Sequence, residues 1–409
     1  MNLSTWKSFL DDSNNLSKPA QAKQLVSTKD IVEIKLLLIK VLRGFLAKED
    51  LHVGLKIYIN NELRNDLIEK MAANPPGLEH SFKDWSQQIF GDQKFGVILI
   101  GLEEYSNSFA EKVANIVRPL LENTGLPLDG LSFLFFMGNY GFTPFGVHKE
   151  STGEDGILFH LGPENKEFYT WDDPKYNAIE HNSEVFHNVS EMLNEGKSYE
   201  LEPGDAMAIP HYVYHIGNTP KFSLSVVLDY VNPPKDRFEN ELIKATAEEV
   251  LLSHDAYEKP IKLNAPQSDL NDVLDLHSIQ KKMEITLTRK ILGLKSNGGI
   301  RRKSNTTGTR IPQSGTFSIK GKEIFPIYLD VQNSKETLIF ARGHRIVLKN
   351  HPMLPQLIGQ LNKGEQMTLN SIRQLMEPIW DLVDTYSLTD QLLRVEAIVI
   401  DGMNNENVG

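Results

Sequence analysis

Between Phe95 and about Val231 the chain breaks into short runs of β-branched and aromatic residues: FGVILIGL, LSFLFFMG, DGILFHLG, KEFYTW, AMAIP and FSLSVVLDYV. Gly, Pro, Asn and Asp separate them. Many short strands with turn signals between them predict a sandwich or barrel. One helical stretch, Ser106–Asn123, interrupts the first two runs, and Asn232-Pro233-Pro234 closes the block.

The flanks read differently. The first twenty-five residues are polar and are expected to be frayed. From Thr28, which can act as a cap, a helix is expected, with Asp30 in its first turn and Ile31, Ile34, Leu38, Val41 and Phe45 recurring along it. A strand (LKIYIN), a helix over Asn61–Ala72 and a short helix ending at Gly91 complete the N-terminal part. Beyond the β block, two helical stretches are expected, Asp236–His254 and Ser268–Ile291. The segment from Lys295 to Lys322 carries lysines and arginines and no acidic residue, with Ser, Thr, Gly and Asn between, and reads as a flexible linker or exposed arm. From Phe325 the expectation is a compact α+β module: strands IYLDV and RIVLK, helices Met353–Leu361 and Ser371–Leu382, and a last strand RVEAIVI.

A chain of 409 residues suits about two or three structural units. The expected organisation is a helical and mixed region (1–85), a β core (86–235), a helical segment (236–294), a basic linker (295–323) and a terminal module (324–409). Ile34 to Phe45, the most apolar stretch, is interrupted by Lys35, Lys40 and Arg43, so no membrane span is expected. The amino terminus lacks a hydrophobic core followed by a cleavage site, and a cytoplasmic location is the expectation. A formal charge of −11 argues against a nucleic-acid-coating protein, and the basic linker reads as a solvated tether rather than an RNA contact.

Cysteine is absent, which excludes disulfides, thiolate metal sites and thiol nucleophiles. Any transition metal must be held by His, Asp and Glu. Six of the twelve histidines lie between positions 148 and 215. In FTPFGVHKES, His148 and Glu150 stand one residue apart, so on an extended strand both project from one face. In LEPGDAMAIPHYVYHIGN a Pro-Gly-Asp turn starts a strand, Pro210 ends it, and His215 follows five residues later. Two imidazoles and one carboxylate form the donor set of non-haem Fe(II) oxygenases, which leaves positions open for a cosubstrate and O2.

The run His148-Lys149-Glu150, then GILFHLG with a following Lys, then PGDAMAIPHYVYH resembles the JmjC or cupin-type Fe(II)/2-oxoglutarate-dependent oxygenases over roughly residues 85–235. The resemblance implies a mainly β core of double-stranded β-helix (jelly-roll, cupin-like) form. It implies that His148, Glu150 and His215 ligate Fe(II), and that a Lys after the strand-ending Gly binds the far carboxylate of 2-oxoglutarate. Lys166 is the candidate for that role, its alternative being a solvated turn residue, and Thr143 is a candidate to add a hydroxyl. Glu150 departs from the family's usual Asp, and Asp155 is the alternative carboxylate. His160, His211 and Trp171 are read as packing residues.

A β core, a helical segment and a small winged-helix-like module is also the layout of the ribosomal-protein hydroxylases of that family, which implies a homodimer built through the helices. The expected activity is hydroxylation of an amino-acid side chain in a protein or peptide, ribosomal or biosynthetic, using O2 and 2-oxoglutarate. The rival readings are the same chemistry on a natural-product peptide or small metabolite, and a non-catalytic cupin-fold binding module.

Overall fold

The structure, a computed structural model, describes residues 3–48, 54–79, 81–177, 185–251, 260, 263–264, 275–312, 317–331 and 334–401. Its first half is built on antiparallel strands: β1 (Ala20–Ala22), β2 (Leu55–Ile59), β3 (Glu62–Leu63), β4 (Phe95–Ile100), β5 (Leu131–Gly138) and β6 (Gly141–Phe142). These are followed by β7 (Glu154–Pro163), β8 (Lys166–Trp171), β9 (Lys197–Leu201), β10 (Ala206–Ile209), β11 (Tyr214–Thr219) and β12 (Ser223–Val231). A large sheet runs in the order β1-β10-β7-β12-β5-β4-β2-β3, and a smaller one in the order β6-β11-β8-β9.

Alternation along the central strands assigns their two faces. Phe133, Phe135 and Met137 of β5, with Val226 and Leu228 of β12, join a core that includes Trp6, Phe45, Phe109 and Leu120 from three covering helices, Leu3–Asp12, Thr28–Leu46 and Asn107–Thr124. The intervening residues Leu134 and Phe136 of β5, and Val227 and Asp229 of β12, line a cavity together with residues of the small sheet. Both faces of these strands are therefore covered, which is why their sequence is almost continuously apolar.

The sequence expectation fails at the amino terminus. Trp6, Phe9 and Leu10 sit at i, i+3 and i+4 of the helix Leu3–Asp12 and are almost fully buried, and β1 extends the large sheet by pairing with β10. A polar composition concealed one apolar stripe. The cap of the next helix is Ser27 rather than Thr28, its side chain accepting the Asp30 N–H. Around Asn61–Ala72 the chain forms a strand pair, a 3-10 turn and the helix Ile68–Ala73 in place of one helix.

The expectation of a flexible basic linker fails over residues 295–312. Leu131 N–H donates to Gly299 O at 2.8 Å and Arg301 N–H donates to Leu131 O at 2.9 Å, which ties the segment to β5. Ile300 and Ile311 are each 1% exposed. Asn107 and Asn305 exchange two 2.8 Å bonds. Three of its basic residues find acidic partners: Arg301 with Asp129, Arg302 with Glu104 and Arg310 with Asp390. Opposite charge elsewhere in the chain, which local composition does not display, holds it in place.

The helices that follow the β block are Lys235–Thr246 and Leu276–Ser296; the start of the second expected helix, from Ser268, lies outside the described residues. The terminal module has the strands Tyr328–Val331, Glu336–Ala341 and His344–Lys349 in one sheet, and a second sheet formed by Ser318–Gly321, Met367–Thr368 and Ile398–Asp401. Helices Leu354–Asn362, Leu369–Met376 and Leu382–Arg394 pack on them around Ile339, Leu357, Ile372, Trp380 and Leu388. Among the described residues, no helix is long and apolar enough to cross a membrane.

Candidate metal centre

His148 and His215 are brought together by main-chain pairing. His148 N–H donates to His215 O at 3.2 Å and His215 N–H donates to His148 O at 2.8 Å. Residues so paired carry their side chains to the same side of the strands, and the two imidazole centroids are 4.4 Å apart. Glu150, two residues after His148, emerges on that side as well. Its Oε1 lies 3.6 Å from His148 Nε2 and 3.5 Å from His215 Nε2. One potential ligand atom from each residue lies within 4.8 Å of the other two.

The orientation of both imidazoles is fixed from behind. His148 Nδ1 is 3.0 Å from Gly146 O, and His215 Nδ1 is 3.1 Å from Val213 O, the same step back of two residues in each case. A carbonyl can only accept, so each Nδ1 carries the proton and each Nε2 offers its lone pair to the centre. Gly146 is required in its place. Its φ is +83° and a Cβ there would lie 2.6 Å from Phe186 O, the carbonyl that accepts the Val147 N–H at 2.9 Å. Burial pushes His215 toward its neutral form, and the neighbouring His148 adds to the effect against the attraction of Glu150. Two imidazoles turned lone-pair-first and an ionised carboxylate are a donor set for a divalent transition metal.

The three donors line one wall of a cavity of about 390 Å³ between the two sheets. Lys166 lines it too, 3% exposed, with Nζ 3.4 Å from the Tyr140 hydroxyl and over the faces of Phe136 and Tyr140. No carboxylate among the described residues pairs with this ammonium. Gly217 of β11 makes room for it, because a Cβ there would meet Lys166 Cε at 2.8 Å. Thr143, also in the cavity wall, donates from Oγ1 to Gly217 O at 3.2 Å.

The remaining sequence candidates lie elsewhere. Asp155 is outside the donor cluster, accepting from the His211 main chain at 3.0 Å and contacting His211 Nδ1 at 2.9 Å. His160 is fully buried, with Nε2 2.8 Å from Glu164 O, and burial followed by the charge of Lys166 lowers it to about 4. Trp171 packs in the core beside β11 and donates from Nε1 to Met192 O. His181 lies outside the described residues. Reading motifs missed Asp229, Glu154, Lys56 and Tyr58, which complete the polar lining. The signal for Asp229 is the alternation in SLSVVLDYV, which places it on the face of Val227.

The fold has counterparts among solved structures. Crystal structures of YcfD, a ribosomal oxygenase from Escherichia coli, match 98% of this chain with 98% of theirs at 13% identity and a TM-score of 0.53. A YcfD complex with cobalt and 2-oxoglutarate matches 97% of this chain with 98% of its own, at 13% identity and a TM-score of 0.52. A further YcfD structure gives 14% identity and a TM-score of 0.51 over 98% of both chains. No protein-family model matches the sequence, and no curated protein does. At such identity the likeness is one of fold, and it covers 97–98% of the chain.

Proposed function

We propose that this protein is an Fe(II)- and 2-oxoglutarate-dependent oxygenase that hydroxylates an amino-acid side chain of a protein or peptide. The carrying observation is one cavity with a two-histidine, one-carboxylate cluster on its wall and, in the same lining, a buried ammonium without a carboxylate partner among the described residues. His148, Glu150 and His215 would hold the iron. Lys166 would pair with the far carboxylate of 2-oxoglutarate, with Thr143 offering a second donor. The fit rests on the donor chemistry: a buried lysine left without an internal counter-ion calls for an anionic ligand. The two facing sheets suit a double-stranded β-helix, and the terminal strands and helices suit a winged-helix-like module.

When bound, iron with 2-oxoglutarate and O2 supplies the oxidising power for C–H hydroxylation, with succinate and CO2 as co-products. The chain's own work is positional. Gly146 O and Val213 O hold the imidazoles in one tautomer, and Glu150 supplies the negative charge. Phe136, Phe168, Leu158 and Val227 line the cavity with apolar surface that limits water.

The half-exposed apolar residues Phe238, Leu242 and Ala245 of one helix and Ile279 and Met283 of the other are compatible with a homodimer through these helices. Light scattering tests that: a mass near twice 46.3 kDa supports it, and one near 46.3 kDa at micromolar concentration opposes it.

The test of activity is succinate release from 2-oxoglutarate by protein loaded anaerobically with Fe(II) and then exposed to O2, with and without candidate peptides. Succinate that depends on iron and rises with a peptide supports the reading. No 2-oxoglutarate consumption under any of these conditions overturns it.

A further inference from the structure

His160 is a buried imidazole that takes no part in the metal centre. It follows Leu158 by two positions on β7 and so shares the cavity face of that strand, yet it is fully buried and outside the cavity lining. Burial, then the charge of Lys166, keeps the ring neutral. Glu164 O can only accept, so Nε2 carries the proton and donates to it at 2.8 Å. Nδ1 is then bare, and Ser225 Oγ, at 3.4 Å, donates to it.

The carbonyl that His160 holds belongs to a turn with few other interior ties. Ser225 stands opposite His160 and Leu224 opposite Gly162, so Leu161 is an extra residue on β7. A bulge of this kind disrupts the ladder and bends the strand. The chain then runs through Gly162, Pro163, Glu164 and Asn165 before β8 begins at Lys166. Asn165 donates to the Glu200 carboxylate at 2.8 Å, and Lys221 lies 3.8 Å from that of Glu164, but both contacts are exposed and hold little. Among the described residues, Glu164 O has His160 as its one hydrogen-bond partner.

What this turn places is Lys166. An ammonium on a four-carbon stem has many rotamers, so its resting place depends on where the strand that carries it starts. The Tyr140 hydroxyl and the gap at Gly217 receive the side chain only when β8 starts in that place. We propose that His160 is a positioning residue for the cosubstrate anchor: by holding Glu164 O it fixes the turn between β7 and β8, and with it the point from which Lys166 enters the cavity. The inference rests on the oxygenase reading for the role of Lys166, but not for its placement.

Two measurements on the full chain test it. His160→Leu and His160→Met keep bulk and lose the donor, while His160→Gln keeps an N–H donor; thermal melts establish which variants fold, and either donor-less variant serves. The first measurement needs no ligand: lysines are labelled with acetic anhydride, and mass spectrometry follows Lys166 against the exposed lysines. Lys166, 3% exposed, should label slowly in the unaltered protein and in His160→Gln, and several-fold faster in a folded donor-less variant. An unchanged rate at Lys166 in that variant overturns the proposal.

The second is calorimetric titration of 2-oxoglutarate into protein loaded with Mn(II), a redox-inert stand-in for iron. Loss of a buried hydrogen bond corresponds to roughly tenfold in a binding constant, so the Kd should rise by about that factor in His160→Leu and stay near the unaltered value in His160→Gln. Mn(II) affinity should be the same in all of them. Adding His160→Leu to Lys166→Met should bring no further loss, because both changes act on one contact. A further, independent loss in the double variant overturns the proposal, since His160 would then act on the fold at large. Absence of 2-oxoglutarate binding by the unaltered protein counts against the oxygenase reading instead, and the labelling rates then decide the placement of Lys166 separately.

Discussion

His148 and His215, 67 positions apart in the chain, are main-chain partners that exchange both of their backbone hydrogen bonds. The convergence of the two imidazoles is thus a property of the pairing, and it does not depend on the flexibility of either side chain. Glu150 is less constrained, with its side chain 40% exposed and its oxygen at 3.5–3.6 Å from both rings. The carboxylate is therefore the donor most open to perturbation.

Replacing Glu150 by Gln keeps the shape and removes the charge. Metal affinity should fall by at least roughly tenfold, and turnover with it. Glu150→Asp should retain part of both, since the ligand type is kept and only the reach is shortened. Asp155→Asn should leave metal affinity unchanged, because Asp155 is committed to His211. Calorimetric metal titration of the three variants decides between the carboxylates: loss in Asp155→Asn with retention in Glu150→Gln would reassign the ligand.

Lys166→Met should raise the KM for 2-oxoglutarate on the order of tenfold or more, by removing the partner of its far carboxylate. Thr143→Val should have a smaller effect in the same direction. The KM for a peptide substrate should move little. Initial rates against 2-oxoglutarate measure this, and an unchanged KM in Lys166→Met would remove Lys166 from the site.

The strand runs and the three metal donors could be found in the sequence because each is a local pattern: an apolar run between turn residues, a His-x-Glu step, a His beyond a Pro-Gly-Asp turn. What escaped was set by distant partners. β9, KSYEL, is an edge strand with mostly exposed side chains, so its sequence carries no apolar run. The strand Glu336–Ala341 lies at the centre of its sheet, and its buried Leu338-Ile339-Phe340-Ala341 does not alternate. The helix Leu382–Arg394 mixes Thr, Ser and Asp with its leucines, and its start is marked by a capping box between Asp381 and Asp384. Asp229 was passed over because a carboxylate in an apolar strand is ambiguous until the strand opposite is known to place a glycine there.

Trp6 shows what the N-terminal helix contributes. It is 0% exposed, with its ring 6.0 Å from Phe9 and 6.4 Å from Phe159 of β7. Trp6→Ala should cost about 3–5 kcal/mol of stability by leaving a cavity against the large sheet. Urea unfolding measures it, and a loss below about 1 kcal/mol would mean that the helix is not part of the core.

Glu103 gives a pH dependence whose sign can be worked out. It is 2% exposed, accepting from Ser132 Oγ at 2.9 Å and Phe133 N–H at 3.1 Å, and burial pushes its carboxyl up to about 7. Between its ordinary value of 4.5 and about 7, the folded chain keeps a proton that the unfolded chain has released. This contribution is complete below the lower value and is lost as pH rises through the upper one. From pH 5 to 8 the unaltered protein should therefore lose stability relative to Glu103→Gln, by an amount on the order of 3 kcal/mol. Parallel urea midpoints for the two proteins across that range would contradict this.

The central claim is that His148, Glu150 and His215 hold one divalent metal ion at a site that also admits 2-oxoglutarate. Anaerobic calorimetric titration of Fe(II) into the metal-free protein, with 2-oxoglutarate present, tests it most directly. The predicted result is one equivalent bound by the unaltered protein, with that binding lost in His148→Ala and His215→Ala while their circular dichroism stays the same. Absence of stoichiometric binding in the unaltered protein, or full binding retained in either folded alanine variant, would contradict it.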